Sequence, residues 1–547
     1  AKDWGVIDVR RLVWQEAPGG AADVWGQAEL RRPGEDDETD VRVPLARPVA
    51  PGETITLQME WDARLPNVIM RTGHDGTFHM VAQWFPKLAR LEADGRWAHF
   101  PFHRLAEFYA DFGRYDVTLD VPASFVVGAT GPLVEERVEG GRRVARHVQD
   151  DVHDFAWTAW DKFQVHTEAV DGVDVRVLYP PGYRIVALRQ LATLRFAIPH
   201  FGARYGRYPY PTLTVVHPPE TAREAGGMEY PTLITTGGAW WGPPGVMLHE
   251  LVTIHEFGHQ YFYGLLASDE MTWPFLDEGL NSFAEGEGLG RWLGSGSTVR
   301  LSGLEVSNAA LSALRGRMAA LQERVAQPAP SFASGFDYGA LVYGRTASLL
   351  ETLRRVYGDD AMGRTLGRYA RKMRFQHPTP DDLLTAVGEG LGPGAREMLR
   401  VGLFERGWVD FTVMAVSGDR GRRPRGIFDE GGTRTTVTDA TLAGPHVGSV
   451  LLARRGTLRI PVEVELQLEG GLARRFVWDG EQETIRIPYE GNAALRGVVI
   501  DPDEAVIIDQ DRTNNFGLAP RASTSSVPRF FERSLYWAQL LVQGLCP

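Results

Sequence analysis

The sequence predicts a multidomain α+β protein, and three observations carry that prediction. Short apolar/polar alternation dominates residues 4–164, helical periodicity takes over at 185–408, and alternation returns over 409–521. A chain of 547 residues exceeds what one hydrophobic core organises, so about three domains are expected. With 43% hydrophobic and 10% aromatic residues, each has the material for a core of its own.

Taken in order, residues 1–168 read as an all-β domain, with runs such as 115–121 (YDVTLDV) punctuated by Gly and Pro turns. Residues 169–408 read as mainly helical, as in 347–356 (ASLLETLRRV). Residues 409–522 alternate again at 458–466 and 484–488, which predicts a β-sandwich. Residues 523–547 read as a helical tail: 530–542 are apolar but carry charges and fall short of a membrane span, so docking onto the body is expected. The glycine-rich stretches 294–297 and 388–394 do not follow a strand in a phosphate-binding pattern and are read as loops, as is the basic run 420–425. No internal repeat is evident.

Composition excludes several function classes. A net charge of −12 and a pI near 5.7 argue against a nucleic-acid partner, because neutralising phosphates requires a basic face. The single Cys546 rules out a disulfide framework and a cysteine metal site. Neither a signal-peptide pattern nor an integral membrane span is read, yet the chain opens at Ala1 rather than Met. A removed leader, the compartment (cytoplasm, or cell envelope and exterior) and the oligomeric state stay open.

The most informative segment is His255-Glu256-Phe257-Gly258-His259, followed by Asp277-Glu278-Gly279. Residues four apart on a helix differ by about 40° in direction and roughly 6 Å in height, so both imidazoles reach one metal. A carboxylate from a second helix, for which Glu278 is the candidate, completes three protein ligands. The fourth position is then left for water, the arrangement of hydrolytic rather than structural zinc. Glu256 falls on the open side of that metal as a general base. The preceding apolar run, 246–254, predicts a buried helix in which an unligated histidine pair would be costly. His249-Glu250 lies six residues before His255, with Thr253 where a second histidine would stand, and is read as structural.

The spacing from His259 to Glu278, with the run 275–280 (FLDEGL), resembles the aminopeptidase N-like family of zinc metallopeptidases, the gluzincin aminopeptidases that include the leukotriene hydrolases. The stretch Gly226-Gly227-Met228-Glu229-Tyr230 is similar to that family's Gly-x-Met-Glu-Asn loop, with Tyr230 in place of Asn. The resemblance implies an N-terminal saddle-like β domain, a thermolysin-like catalytic domain and one Zn²⁺ per chain. It assigns Glu229 to the substrate's free α-ammonium, on a loop also made of Gly226, Gly227 and Met228. Tyr343, followed two residues later by the basic Arg345, falls where the family places its oxyanion-stabilising tyrosine; Tyr338 matches a second tyrosine near the cleft. Gln83 lies where the N-terminal domain supplies a polar side chain to the amine pocket, although Trp84 and Phe85 mark that stretch equally well as core. Glu285, two turns after Glu278, is either a carboxylate that orients a ligand histidine or a partly solvated helix residue.

The expected activity is hydrolysis of the first peptide bond of peptides with a free N-terminus. Two alternatives stand beside it: a related zinc endopeptidase or epoxide hydrolase, and a non-catalytic scaffold of the same fold. The family's long helical repeat domain finds no counterpart after the sandwich, from which a more open active site is expected.

Overall fold

The computed structural model describes residues 4–31, 38–68, 70–239, 243–420, 425–438 and 445–520, with Ser534, Trp537 and Ala538. By packing, the chain divides into two compact units, one of Ala1–Trp292 with Pro328–Ser331 and Gly367–Pro380, the other of Leu293–Gln327, Phe332–Leu366 and Asp381–Pro547. The tail read as a helix and the basic run 420–425 lie largely outside the described residues.

The first unit begins with antiparallel sheets. Val6–Trp14 pairs with Leu57–Arg64; Arg142–Val152 sits between Gly113–Pro122 and Leu133–Glu139; and Trp157–Trp160 sits between Val126–Ala129 and Phe78–Val81. Phe78, Trp160 and Phe163 close one core here in edge-on ring contacts, with Met228 and Tyr230 packed into the same cluster. A mixed four-stranded sheet follows: Gln164–Val170 is antiparallel to Val173–Tyr179, which runs parallel to Thr212–Val216 and then to Leu233–Thr235.

The last two strands interrupt the stretch read as helical. Both are short, buried and without polar alternation, so periodicity does not separate them from helix. Helix α1 (Arg184–Tyr205) connects the parallel pair Val173–Tyr179 and Thr212–Val216. Its buried Leu191, Leu194, Ile198 and Phe201 recur at helical spacing. Phe201 meets Phe257 of helix α2 (Leu248–Gly258) at 5.6 Å between ring centroids. Helix α3 (Glu278–Leu293) is buried over most of its length.

In the second unit, helix α4 (Asn308–Ala319) starts at a Ser307 cap whose side chain accepts from Ala310 N. A π-helical turn, Gly339–Arg345, precedes the helix Thr346–Tyr357. Gly388, Gly390 and Leu391, read above as loop, belong to the helix Pro380–Leu391, and Pro393 opens the helix Pro393–Phe404; only Gly392 between them is non-helical. Packing overrides propensity there, since a Cβ on Gly390 would lie 2.0 Å from Thr365 Oγ1. The sheets Val409–Arg420, His446–Gly456, Thr484–Gly491 and Ala473–Trp478, Val462–Leu468, Leu495–Ile500, Phe516–Leu518 form the sandwich. Val462, Val464, Leu466 and Leu468 face inward while Glu463 faces water, and Phe411 and Trp478 meet at 5.4 Å between ring centroids. Among the described residues no helix is long and apolar enough to cross a membrane.

Candidate metal and substrate site

Helix α2 carries His255 and Glu256, and His259 is its C-cap. Gly258 is required by the crossing: a Cβ there would stand 2.0 Å from Asn281 Oδ1 and 3.1 Å from Phe201. Asn281, on α3, donates from Nδ2 to His255 O at 2.9 Å and so ties the two helices together. Glu278 is the first residue of α3, which brings its carboxylate to the imidazoles.

The three candidate ligand atoms form a tight triangle. His255 Nε2 and His259 Nε2 are 3.1 Å apart, and Glu278 Oε2 lies 3.2 Å and 3.0 Å from them. Ligand atoms around a tetrahedral zinc with bonds of about 2.0–2.1 Å stand roughly 3.3 Å apart, so the triangle has the right size. Its protonation also fits. His255 Nδ1 is 2.7 Å from Glu285 Oε2, and His259 Nδ1 is 2.6 Å from Asp277 Oδ1 and 3.1 Å from Phe262 O. Those oxygens only accept, so in the neutral rings both Nδ1 atoms carry the hydrogens and both Nε2 atoms present lone pairs to the Glu278 carboxylate. Three facing acceptors repel one another unless a cation joins them.

With no cation between them, a proton joins His255 to Glu278 instead. Burial pulls the His255 imidazole down, yet its bonds to Glu278 and Glu285 outweigh that and push it up to about 10. Partial burial opposes ionisation of Glu278 as well, but His259 and His255 hold it well below the usual carboxylate range. Burial pushes Glu256 up to about 7 against the pull of the two histidines, which suits a base that must take and return a proton near neutrality.

Beside this cluster lies the loop 226–230. Gly227 is exposed at φ +74, and a Cβ there would come within 3.8 Å of Glu256 Oε1. Glu229 is buried, and one of its oxygens gathers with His259 and Asp277 within 4.8 Å. Among the described residues its carboxylate forms no ion pair: the nearby Arg71 is paired with Glu107 at 2.5 Å. Burial, with Glu107, Glu256 and Asp277 adding to it against His259, raises Glu229 well above the ordinary carboxylate range. Tyr230 turns into the core beside Met228, and among the described residues its Oη has no hydrogen-bond partner.

Gln83 adopts φ +52, and its amide is engaged at both ends: Nε2 donates to Asp154 Oδ2 at 3.2 Å, and Oε1 accepts from Lys87 Nζ at 2.6 Å. Tyr338 and Tyr343 belong to the second unit, where their rings meet edge-on at 6.0 Å. Tyr343 sits in the π-helical turn, a conformation that recurs at functional sites. Arg345 is fully buried and donates to Gly407 O at 2.5 Å. His249 and Glu250 make structural contacts, His249 to Gly237 O and Glu250 to Arg189. Sequence reading overlooked Asp277 as a partner for His259, although its place beside Glu278 was a signal. It also overlooked Gln260, which contacts the loop backbone.

Residues 192–404 match the family described as the Peptidase family M1 domain. Among curated proteins the chain is similar to Aminopeptidase M1 of Arabidopsis thaliana, 23% identical over 331 residues that cover 54% of this chain and 34% of that protein. It is also similar to Aminopeptidase M1-A of Oryza sativa subsp. japonica, 24% identical over 341 residues covering 56% and 35%. The match thus spans about a third of these relatives' length. Among solved structures, Legionella pneumophila aminopeptidase A in complex with aspartic acid superposes with a TM-score of 0.65 at 13% identity, over 95% of this chain and 55% of that one. An M1 zinc metallopeptidase from Deinococcus radiodurans gives 0.52 at 20% identity, over 74% and 86%.

Proposed function

We propose that this chain, which belongs to the M1 family of zinc peptidases, is a zinc-dependent aminopeptidase that releases the first residue of peptides with a free N-terminus. The observation that carries the reading is the pairing of two cation-seeking clusters: the His255, His259, Glu278 triangle and, beside it, the buried Glu229 carboxylate, which has no ion-pair partner among the described residues. A zinc ion held by those three residues would polarise the scissile carbonyl and acidify a water. Glu229 binds the substrate's ammonium, which places the first carbonyl, and no interior one, against the triangle. Glu256 takes the proton of the attacking water and returns it to the leaving amine. Asp277 and Glu285 keep the histidine Nδ1 atoms protonated and the rings oriented. Tyr343 is assigned to the developing oxyanion by its sequence position, and Tyr338 and Gln83 to substrate contacts on the same basis.

The test is hydrolysis of aminoacyl fluorogenic amides beside their N-acetyl forms, with zinc content measured on the same preparation and Glu256→Gln as control. The reading predicts one zinc per chain, cleavage of the free-amine series alone, and a loss of about 10²–10⁴-fold in the control with zinc retained. Equal cleavage of blocked substrates would favour an endopeptidase, and zinc without turnover would favour a scaffold.

A further inference from the structure

We infer that Gln260 is the positioning residue that sets the distance between the ammonium-binding carboxylate of Glu229 and the metal-ligating end of α2, and so holds the enzyme to single-residue removal. The inference rests on the aminopeptidase reading above.

The loop that carries Glu229 is secured in two halves by different means. Its first half is sewn to the strand Leu233–Thr235: Gly227 N and Met228 N both donate to Thr235 O, at 2.8 and 3.1 Å, and Thr235 N donates back to Met228 O at 2.7 Å. Its second half, from Glu229 to Pro231, leaves the sheet, which Thr232 rejoins through its carbonyl. There the Gln260 carboxamide substitutes for a neighbouring strand. Nε2 donates to Glu229 O at 3.2 Å and to Tyr230 O at 3.1 Å, while Thr232 N donates to Oε1 at 2.8 Å. With two acceptors on one side and a backbone N–H on the other, the orientation of the amide is fixed by its partners.

Thr232 shows that the loop needs such a clamp. It is β-branched and sits at φ +58, a strained conformation that persists only when its surroundings over-determine it. Its polar groups are all engaged: N to Gln260, O accepting from Thr214 N at 2.8 Å, and Oγ1 accepting from Gly131 N at 2.7 Å. At the other end, Gln260 directly follows His259, and its own N donates to Phe257 O at 3.0 Å in the last turn of α2. One fully buried side chain therefore joins the backbone of the amine-binding residue to the backbone of a metal ligand. A carboxylate shifted by the loss of this joint would still be present, but no longer one residue's length from the triangle.

Two variants separate this role from general support of the core. Gln260→Met keeps the bulk and removes every bond; Gln260→Glu keeps the acceptor for Thr232 N and cannot donate to the two carbonyls. Both are expected to raise KM for free aminoacyl amides about tenfold or more while kcat changes less, and to narrow the preference for free over N-acetylated substrates, with one zinc per chain retained. Gln260→Glu, the milder change, serves if Gln260→Met does not fold. Unchanged KM and unchanged preference in a folded, zinc-loaded variant would overturn the inference, as would loss of zinc in step with kcat. A wild-type enzyme that shows no preference for free amines would instead overturn the reading on which the inference rests.

Discussion

The triangle of His255, His259 and Glu278 and the surroundings of Glu229 adjoin one another, yet they are built on opposite plans. Around the triangle, each ligand imidazole is backed by a carboxylate, Glu285 behind His255 and Asp277 behind His259, so its geometry and tautomers are set before any substrate arrives. Around Glu229 the side chain itself has no ion-pair partner among the described residues, and the backbone is what is held. Both clusters gather acidic side chains in a buried setting, where full ionisation is costly unless a cation enters. On the proposed reading, the difference lies in which cation completes them: a metal in the first, and the substrate's own ammonium in the second. Selectivity for a free N-terminus would then follow from the cost of burying Glu229 without an ion-pair partner among the described residues.

That contrast can be broken or sharpened by substitution. After Glu256→Gln, the largest effect is expected from Tyr343→Phe, which on the proposed reading removes a donor to the oxyanion and should lower kcat about 10²–10³-fold with KM little changed. Steady-state kinetics on a free aminoacyl amide checks it, and a loss below about threefold would remove Tyr343 from the chemistry. Next, Asp277→Asn and Glu285→Gln weaken the backing of the histidines. Each should cost roughly 10–100-fold in zinc affinity, read by competition with a chelator, without altering the free-over-acetylated preference of fully loaded enzyme. A change in preference at saturating zinc would mean that the two clusters are not separable in the way described.

A smaller effect lies far from the site. Asp509, in the second unit, is fully buried, and burial above all, with Asp410 adding to it, pushes its carboxyl up to about 7 against bonds from Asn515, Asp511 and Phe411. A carboxyl whose folded pKa is raised contributes stability that is full below the unfolded value, near 3.9, and is lost as pH rises through the folded value. Asp509→Asn should therefore flatten the fall in melting temperature between about pH 4 and pH 7. A parallel curve of unchanged slope would show that the carboxyl is not protonated in the fold.

The metal motif was legible in the sequence because helical geometry converts spacing directly into direction: His255 and His259 are four apart, and Glu278 and Glu285 seven. The mixed α+β class and the sandwich were legible for the same reason, through period. What was not legible depends on contacts between residues distant in sequence. Gln260 meets the carbonyls of Glu229 and Tyr230 some thirty residues away, and backbone acceptors leave no trace in residue identity. Thr212–Val216 and Leu233–Thr235 lie inside a region of helical character because a buried parallel strand shows no alternation. Gly388 and Gly390 suggested a loop, whereas glycine serves there to let a helix approach Thr365 and Arg396.

The most direct test of the central claim is the ratio of kcat/KM for a free aminoacyl amide to that for its N-acetyl form, compared between wild type and Glu229→Gln with zinc content matched. The account predicts a large ratio in wild type that collapses in Glu229→Gln, mainly through a rise in KM for the free amine of about 10–100-fold, the value of a hydrogen bond to a charged group. An undiminished ratio in the variant would contradict it, because the buried carboxylate would then play no part in choosing the substrate's terminus.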